Sequence, residues 1–133
     1  HLSATADRRY TVVAMEERER AILALERDFW LEGGGDPEYW RRHFADDGLI
    51  VLSSGMMGKD EVVSVMEAER GWDAVDFDDV RWVHSASTSI LGYQARARSA
   101  GSGEIDYQAM IASGYRKDDD GWRLVFHQQT PLV

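Results

Sequence analysis

Ile105-Asp106-Tyr107-Gln108-Ala109-Met110-Ile111-Ala112-Ser113-Gly114-Tyr115-Arg116-Lys117, Asp118-Asp119-Asp120-Gly121 and Trp122-Arg123-Leu124-Val125-Phe126-His127-Gln128-Gln129-Thr130-Pro131 form the continuous stretch that decides the fold. Two strand-like runs flank a short acidic turn. Asp-Gly between alternating apolar runs signals a hairpin, because Gly tolerates the positive φ that such a turn requires. Strict alternation puts Trp122, Leu124, Phe126 and Gln128 on one face of the last strand. Arg123, Val125, His127 and Gln129 fall on the other. If Lys117 pairs with Trp122, the first face also carries Ile111, Ser113 and Tyr115, and it is expected to line a pocket while His127 points away, unless Trp122 and Phe126 face outward or a bulge intervenes.

Upstream, the chain begins with helices. Arg9 to about Leu31 is rich in Glu, Arg, Ala and Leu, with Ile22, Leu25 and Phe29 at helical spacing as a buried stripe. Gly33-Gly34-Gly35 stops this helix, since glycine supplies left-handed caps. Asp36-Pro37-Glu38 opens a second, with Asp as N-cap and Pro at the first helical position. It carries Tyr39, Trp40, His43 and Phe44. Asp46-Asp47-Gly48 reads as a turn, Leu49 to Leu52 as a short buried strand, and Asp60 to Glu69 as a third helix. Strands are then expected at Phe77–Ser85, Ser89–Arg98, Tyr107–Lys117 and Trp122–Gln129. Leu91, Tyr93, Ala95 and Ala97 share a face opposite Gln94, Arg96 and Arg98, which marks a sheet covered on one side.

Helices first and an antiparallel meander afterwards give an α+β domain, a curved antiparallel sheet with three helices on its concave side. At 133 residues the chain fits one domain, expected over residues 9–131, with residues 1–8 as an N-terminal tail or tag remnant. The absence of Cys excludes disulfides and a thiolate nucleophile. A net charge of -9 argues against nucleic acid and against anionic membrane surfaces. No apolar run approaches the roughly 20 residues of a membrane span, so a cytoplasmic location is expected.

Gly33–Asp36, Phe44-Ala45-Asp46-Asp47, Gly58-Lys59-Asp60-Glu61 and Gly121-Trp122-Arg123-Leu124 sit at the joints between these elements. In that order and spacing they resemble the nuclear-transport-factor-like superfamily, also called ketosteroid-isomerase-like or SnoaL-like, in its small bacterial branch. The resemblance runs from about Glu17 to Pro131. It implies a cone-shaped, cystatin-like fold with a pocket between helices and sheet, usually in a homodimer. Members include isomerases, dehydratases, cyclases, hydrolases and binding domains, so the fold leaves function open. The catalytic positions of the steroid isomerases fall here near Leu52, Ser113 and Asp28, and none of the three matches that chemistry.

Two residues are candidate acid–base groups. His127 titrates near neutrality, although a surface or interface His satisfied by its neighbours is the alternative. Glu26 lies beside the buried stripe, where desolvation would favour a base; the alternative is an exposed Glu pairing along the helix. Trp30, Trp40, Phe44, Tyr93, Tyr107, Tyr115 and Phe126, with Gln128, are the candidate ligand-binding residues. Ordinary core packing claims most such rings. His43, Asp46 and Asp47 match no metal motif, and no metal or cofactor is expected. The chain thus reads as a domain that binds a small apolar or aromatic molecule, with a cofactor-independent isomerase, dehydratase or cyclase as the alternative.

Overall fold

The computed structural model describes residues 2–132, with side chains from Glu16 onward. The order is α1 (Leu2–Leu31), α2 (Pro37–His43), β1 (Phe44–Leu52), β2 (Gly55–Met57), α3 (Lys59–Met66), β3 (Trp72–His84), β4 (Thr88–Ser99), β5 (Tyr107–Asp118) and β6 (Gly121–Pro131). The expected tail at residues 1–8 falls on side chains outside the described residues. The backbone of α1 starts at Leu2 rather than Arg9.

The sequence signals act locally as physical chemistry requires. Asp36 caps α2 by accepting the Glu38 N–H, with Pro37 at the start of the helix, while Arg41 and Arg42 complement the dipole in its last turn. Gly121 adopts φ +121 at the β5–β6 turn, and Lys117 pairs with Trp122. The six strands form one curved, open sheet in the order β2-β1-β6-β5-β4-β3. All neighbours are antiparallel except β1 and β6, which run parallel. β1 also extends back to Phe44 through Asp46-Asp47-Gly48, so the segment read as a turn is an irregular part of a strand.

Alternation holds through β4, where Leu91, Tyr93, Ala95 and Ala97 are buried against the helices. It fails in β6. Gly114 pairs with Phe126, but Tyr115 pairs with Leu124, so Val125 is an extra residue without a partner on β5. This bulge resets the parity of everything after it. Leu124 and His127, three residues apart, both face inward and are buried. The expected orientation of the last strand is therefore corrected. Phe126 and Gln128 belong to the outer face, His127 and Gln129 to the inner one, and the cause is the one-residue insertion at Val125.

The core between helices and sheet joins Ile22, Phe29 and Trp30 of α1 to Tyr39 and Trp40 of α2, with Phe44, Val62, Leu91, Tyr115 and Leu124. Phe29 meets Tyr39 edge-on at 4.8 Å and Trp40 at 4.6 Å between ring centroids. At the far end of the sheet, His84 Nε2 lies 2.7 Å from Glu19 and its Nδ1 lies 2.8 Å from Ser89 Oγ. That cluster ties α1 to β3 and β4. Among the described residues, no helix is long and apolar enough to cross a membrane.

Candidate functional site

Glu26 lies one turn before Trp30 on α1, facing the sheet, and is 1% exposed. A carboxylate at such a place is costly unless hydrogen bonds replace its water. Three hydroxyls do so. Tyr115 donates to Oε1 at 2.6 Å, and Ser113 donates to Oε2 at 2.7 Å. Tyr93 donates to Oε2 as well, and its own oxygen accepts the Trp30 indole N–H at 2.9 Å. β4 and β5 place these groups by plain alternation, since Tyr93, Ser113 and Tyr115 all belong to the inward face.

The network continues into β6. Ser113 Oγ lies 2.7 Å from His127 Nδ1, and His127 Nε2 lies 2.9 Å from the Gln129 side-chain amide nitrogen. Tyr107 donates to Gln129 Oε1 at 2.7 Å. His127 Nδ1 stands 3.7 Å from Glu26 Oε2, so Ser113 bridges the two. Among the described residues, no buried side-chain nitrogen or oxygen lacks a partner. Burial lowers the His127 imidazole below its ordinary range, and the nearby Glu26 only partly opposes this. The ring is therefore neutral at neutral pH. The Tyr93 and Tyr115 hydroxyls are pushed well above the ordinary tyrosine range by burial first and by Glu26 second.

A cavity of about 190 Å³ opens beside this network, between α1, α2, α3 and the sheet. Its apolar walls include Phe29, Trp30, Trp40, Ile50, Leu124 and Trp72, while His127 and Gln129 form its polar end on β6 and the exposed Glu69, after α3, lines it as well. One rim is set by backbone contact. A Cβ on Gly71, where φ is +79, would stand 2.2 Å from the Gly34 carbonyl oxygen. The triple glycine thus lets the α1–α2 linker touch the start of β3.

Of the candidates read from the sequence, His127, Trp30 and Trp40 border the cavity. Glu26, Tyr93, Tyr107 and Tyr115 stand behind it as the hydrogen-bonded support. Phe44 is fully buried and packs on Trp40 at 5.6 Å between ring centroids. Phe126 and Gln128 are turned away. Ser113 and Gln129 were missed as site residues. The signal for Ser113 was a lone hydroxyl between inward-facing Ile111 and Tyr115; for Gln129 it was its shared parity with His127. Among the described residues, no three His, Asp or Glu side chains converge as a metal would need.

No protein-family model matches the sequence, and no curated protein matches it. Solved structures do match in three dimensions. A Nostoc punctiforme protein described as having a cystatin-like fold superposes with a TM-score of 0.71 at 16% identity, over 88% of this chain and 90% of that one. An NTF2-like protein from Prochlorococcus gives 0.70 at 14% identity over 86% and 93%. Another from Rhodospirillum rubrum gives 0.65 at 20% identity over 92% and 98%. At these identities the likeness shows the fold alone. It is the nuclear-transport-factor-like, cystatin-like α+β fold.

Proposed function

We propose that the chain is a cytoplasmic small-molecule-binding domain, acting as a homodimer, whose pocket takes a small apolar or aromatic molecule. The observation that carries this reading is the cavity of about 190 Å³ with largely aromatic and aliphatic walls, in which His127 and Gln129 meet on β6 and the exposed Glu69 is the one charged carboxyl side chain among the described residues of the lining. A concave, mostly apolar space with a few convergent polar groups is the usual form of a ligand site. Homodimerisation through the outer sheet face accords with exposed Val83, Ile90 and Met110 beside Gln94 and Gln108. A stable interface there would bury on the order of 1,600 Å² in total. Native mass spectrometry of the purified protein tests both parts, with a dimer and a co-purifying small organic molecule as the expected result. A bare monomer, together with no binding from a panel of small aromatic compounds, would overturn the reading.

One observation favours a second reading, a cofactor-independent isomerase, dehydratase or cyclase. The neutral His127 borders the cavity and is joined through Ser113 to a buried carboxylate. In that reading His127 is the acid–base group. Glu26 supports it and does not act directly, because three hydroxyls already occupy its oxygens.

A further inference from the structure

The hydrogen bonds around Glu26 have a direction, and the direction reaches the cavity. Three hydroxyls converge on this carboxylate as donors, and each hydroxyl has a single proton to give. Once Ser113 has donated to Glu26, its oxygen faces His127 Nδ1 only as an acceptor, so Nδ1 must carry the ring proton. A neutral imidazole with a proton on Nδ1 has a bare lone pair on Nε2. The Gln129 amide agrees with this. Its oxygen accepts from Tyr107 at 2.7 Å, which leaves its N–H to cover His127 Nε2 at 2.9 Å.

We propose that Glu26, acting through Ser113, fixes the tautomer of His127 so that the polar end of the pocket presents a hydrogen-bond acceptor capped by Gln129. The ligand class that follows is an uncharged, largely apolar molecule with one N–H or O–H donor, which takes the place of the Gln129 amide at Nε2. Carboxylate ligands are disfavoured, since they have no proton to give to Nε2 and would enter a cavity that Glu69 also lines. The proposal rests on the cavity being a small-molecule pocket, as argued above. Glu26 and Ser113 are positioning residues, and His127 with Gln129 are the contact groups.

Indole and benzofuran make a matched pair of probes, nearly equal in shape, of which only indole carries an N–H. Their binding is followed by NMR titration of the intact protein, and the His127 tautomer by its ring nitrogen-15 shifts. The expected wild-type spectrum is that of the Nδ1–H form, with indole bound more tightly than benzofuran. Gln129→Leu removes the competing amide and should tighten indole roughly threefold to tenfold, one ordinary hydrogen bond, while leaving benzofuran unchanged. Ser113→Ala cuts the link but keeps both tyrosines on the carboxylate; it should give mixed tautomers and abolish the preference. Glu26→Gln should do the same.

An Nε2–H ring in the wild type would overturn the proposal. So would an unchanged tautomer in both Ser113→Ala and Glu26→Gln. Equal binding of the two probes would overturn the ligand class but leave the pocket reading standing. Failure of both probes to bind would remove the ligand class and count against the pocket as well.

Discussion

Tyr115→Phe isolates what one hydroxyl contributes to holding the buried carboxylate. The ring stays in a fully buried site, and only the oxygen 2.6 Å from Glu26 Oε1 is removed. Among the described residues, no other side chain donates to that oxygen. Leaving a buried acceptor without its donor costs about 1–3 kcal/mol, so the variant should lose about that much stability. Tyr93→Phe should cost a similar amount by a different route, because Ser113 still donates to Oε2 but the buried Trp30 N–H loses its acceptor. The assay is urea denaturation followed by fluorescence of the five tryptophans, with unchanged m-values as the check that only stability moved. In a Glu26→Gln background, one side of residue 26 no longer only accepts, and Tyr115→Phe should be much less costly. The coupling energy across that cycle should reach about 1 kcal/mol or more, as for residues in one network. A Tyr115→Phe cost within about 0.5 kcal/mol of zero, and equal in both backgrounds, would refute the claim that this hydroxyl holds the carboxylate.

Acid should weaken the fold through His127. Its folded value is depressed, so below the ordinary value of about 6.5 the unfolded chain binds a proton that the native chain refuses. Stability is then fully present above that value and falls with pH beneath it, until the folded value is reached. His127→Gln should flatten the slope of the urea midpoint between about pH 6.5 and 5; an identical slope in the variant would show that the histidine does not carry it. The glycine contact at the cavity rim makes a separate prediction. Gly71→Ala places a Cβ 2.2 Å from a backbone oxygen at a left-handed residue, whereas a Cβ at Gly121, also at positive φ, meets no atom within 4 Å. Gly121→Ala should cost about 1–2 kcal/mol, the left-handed penalty alone, and Gly71→Ala clearly more. Equal thermal midpoints for the two variants would dismiss the contact.

The parts of this fold legible in the sequence are those that local chemistry determines. The Asp36-Pro37 helix start, the Asp-Gly hairpin and the alternation of Leu91, Tyr93, Ala95 and Ala97 each depend on a few neighbouring residues, and each appears where expected. The parallel pairing of β1 with β6 was not legible, because it joins segments separated by most of the chain and no short-range pattern encodes it. The facing of His127 was lost for a related reason. A period-two rule counts residues along one strand, whereas a bulge is defined by the count on its partners. Val125 looks like any outward-facing strand residue until Tyr115 is seen to pair with Leu124 and Gly114 with Phe126.

That extra residue is what makes the site. With strict alternation, an inward Leu124 would bring Phe126 and Gln128 to the cavity and leave Ser113 and Glu26 with an apolar ring beside them. The insertion instead sets His127 opposite Ser113 and Gln129 opposite Ile111. The polar relay from α1 thereby reaches the pocket without breaking the apolar packing of Tyr115 and Leu124 at the other end of the hairpin. Glu26 was legible as a carboxylate beside a buried stripe. Its role was not, because the three hydroxyls that make its burial tolerable come from strands 67 to 89 residues away.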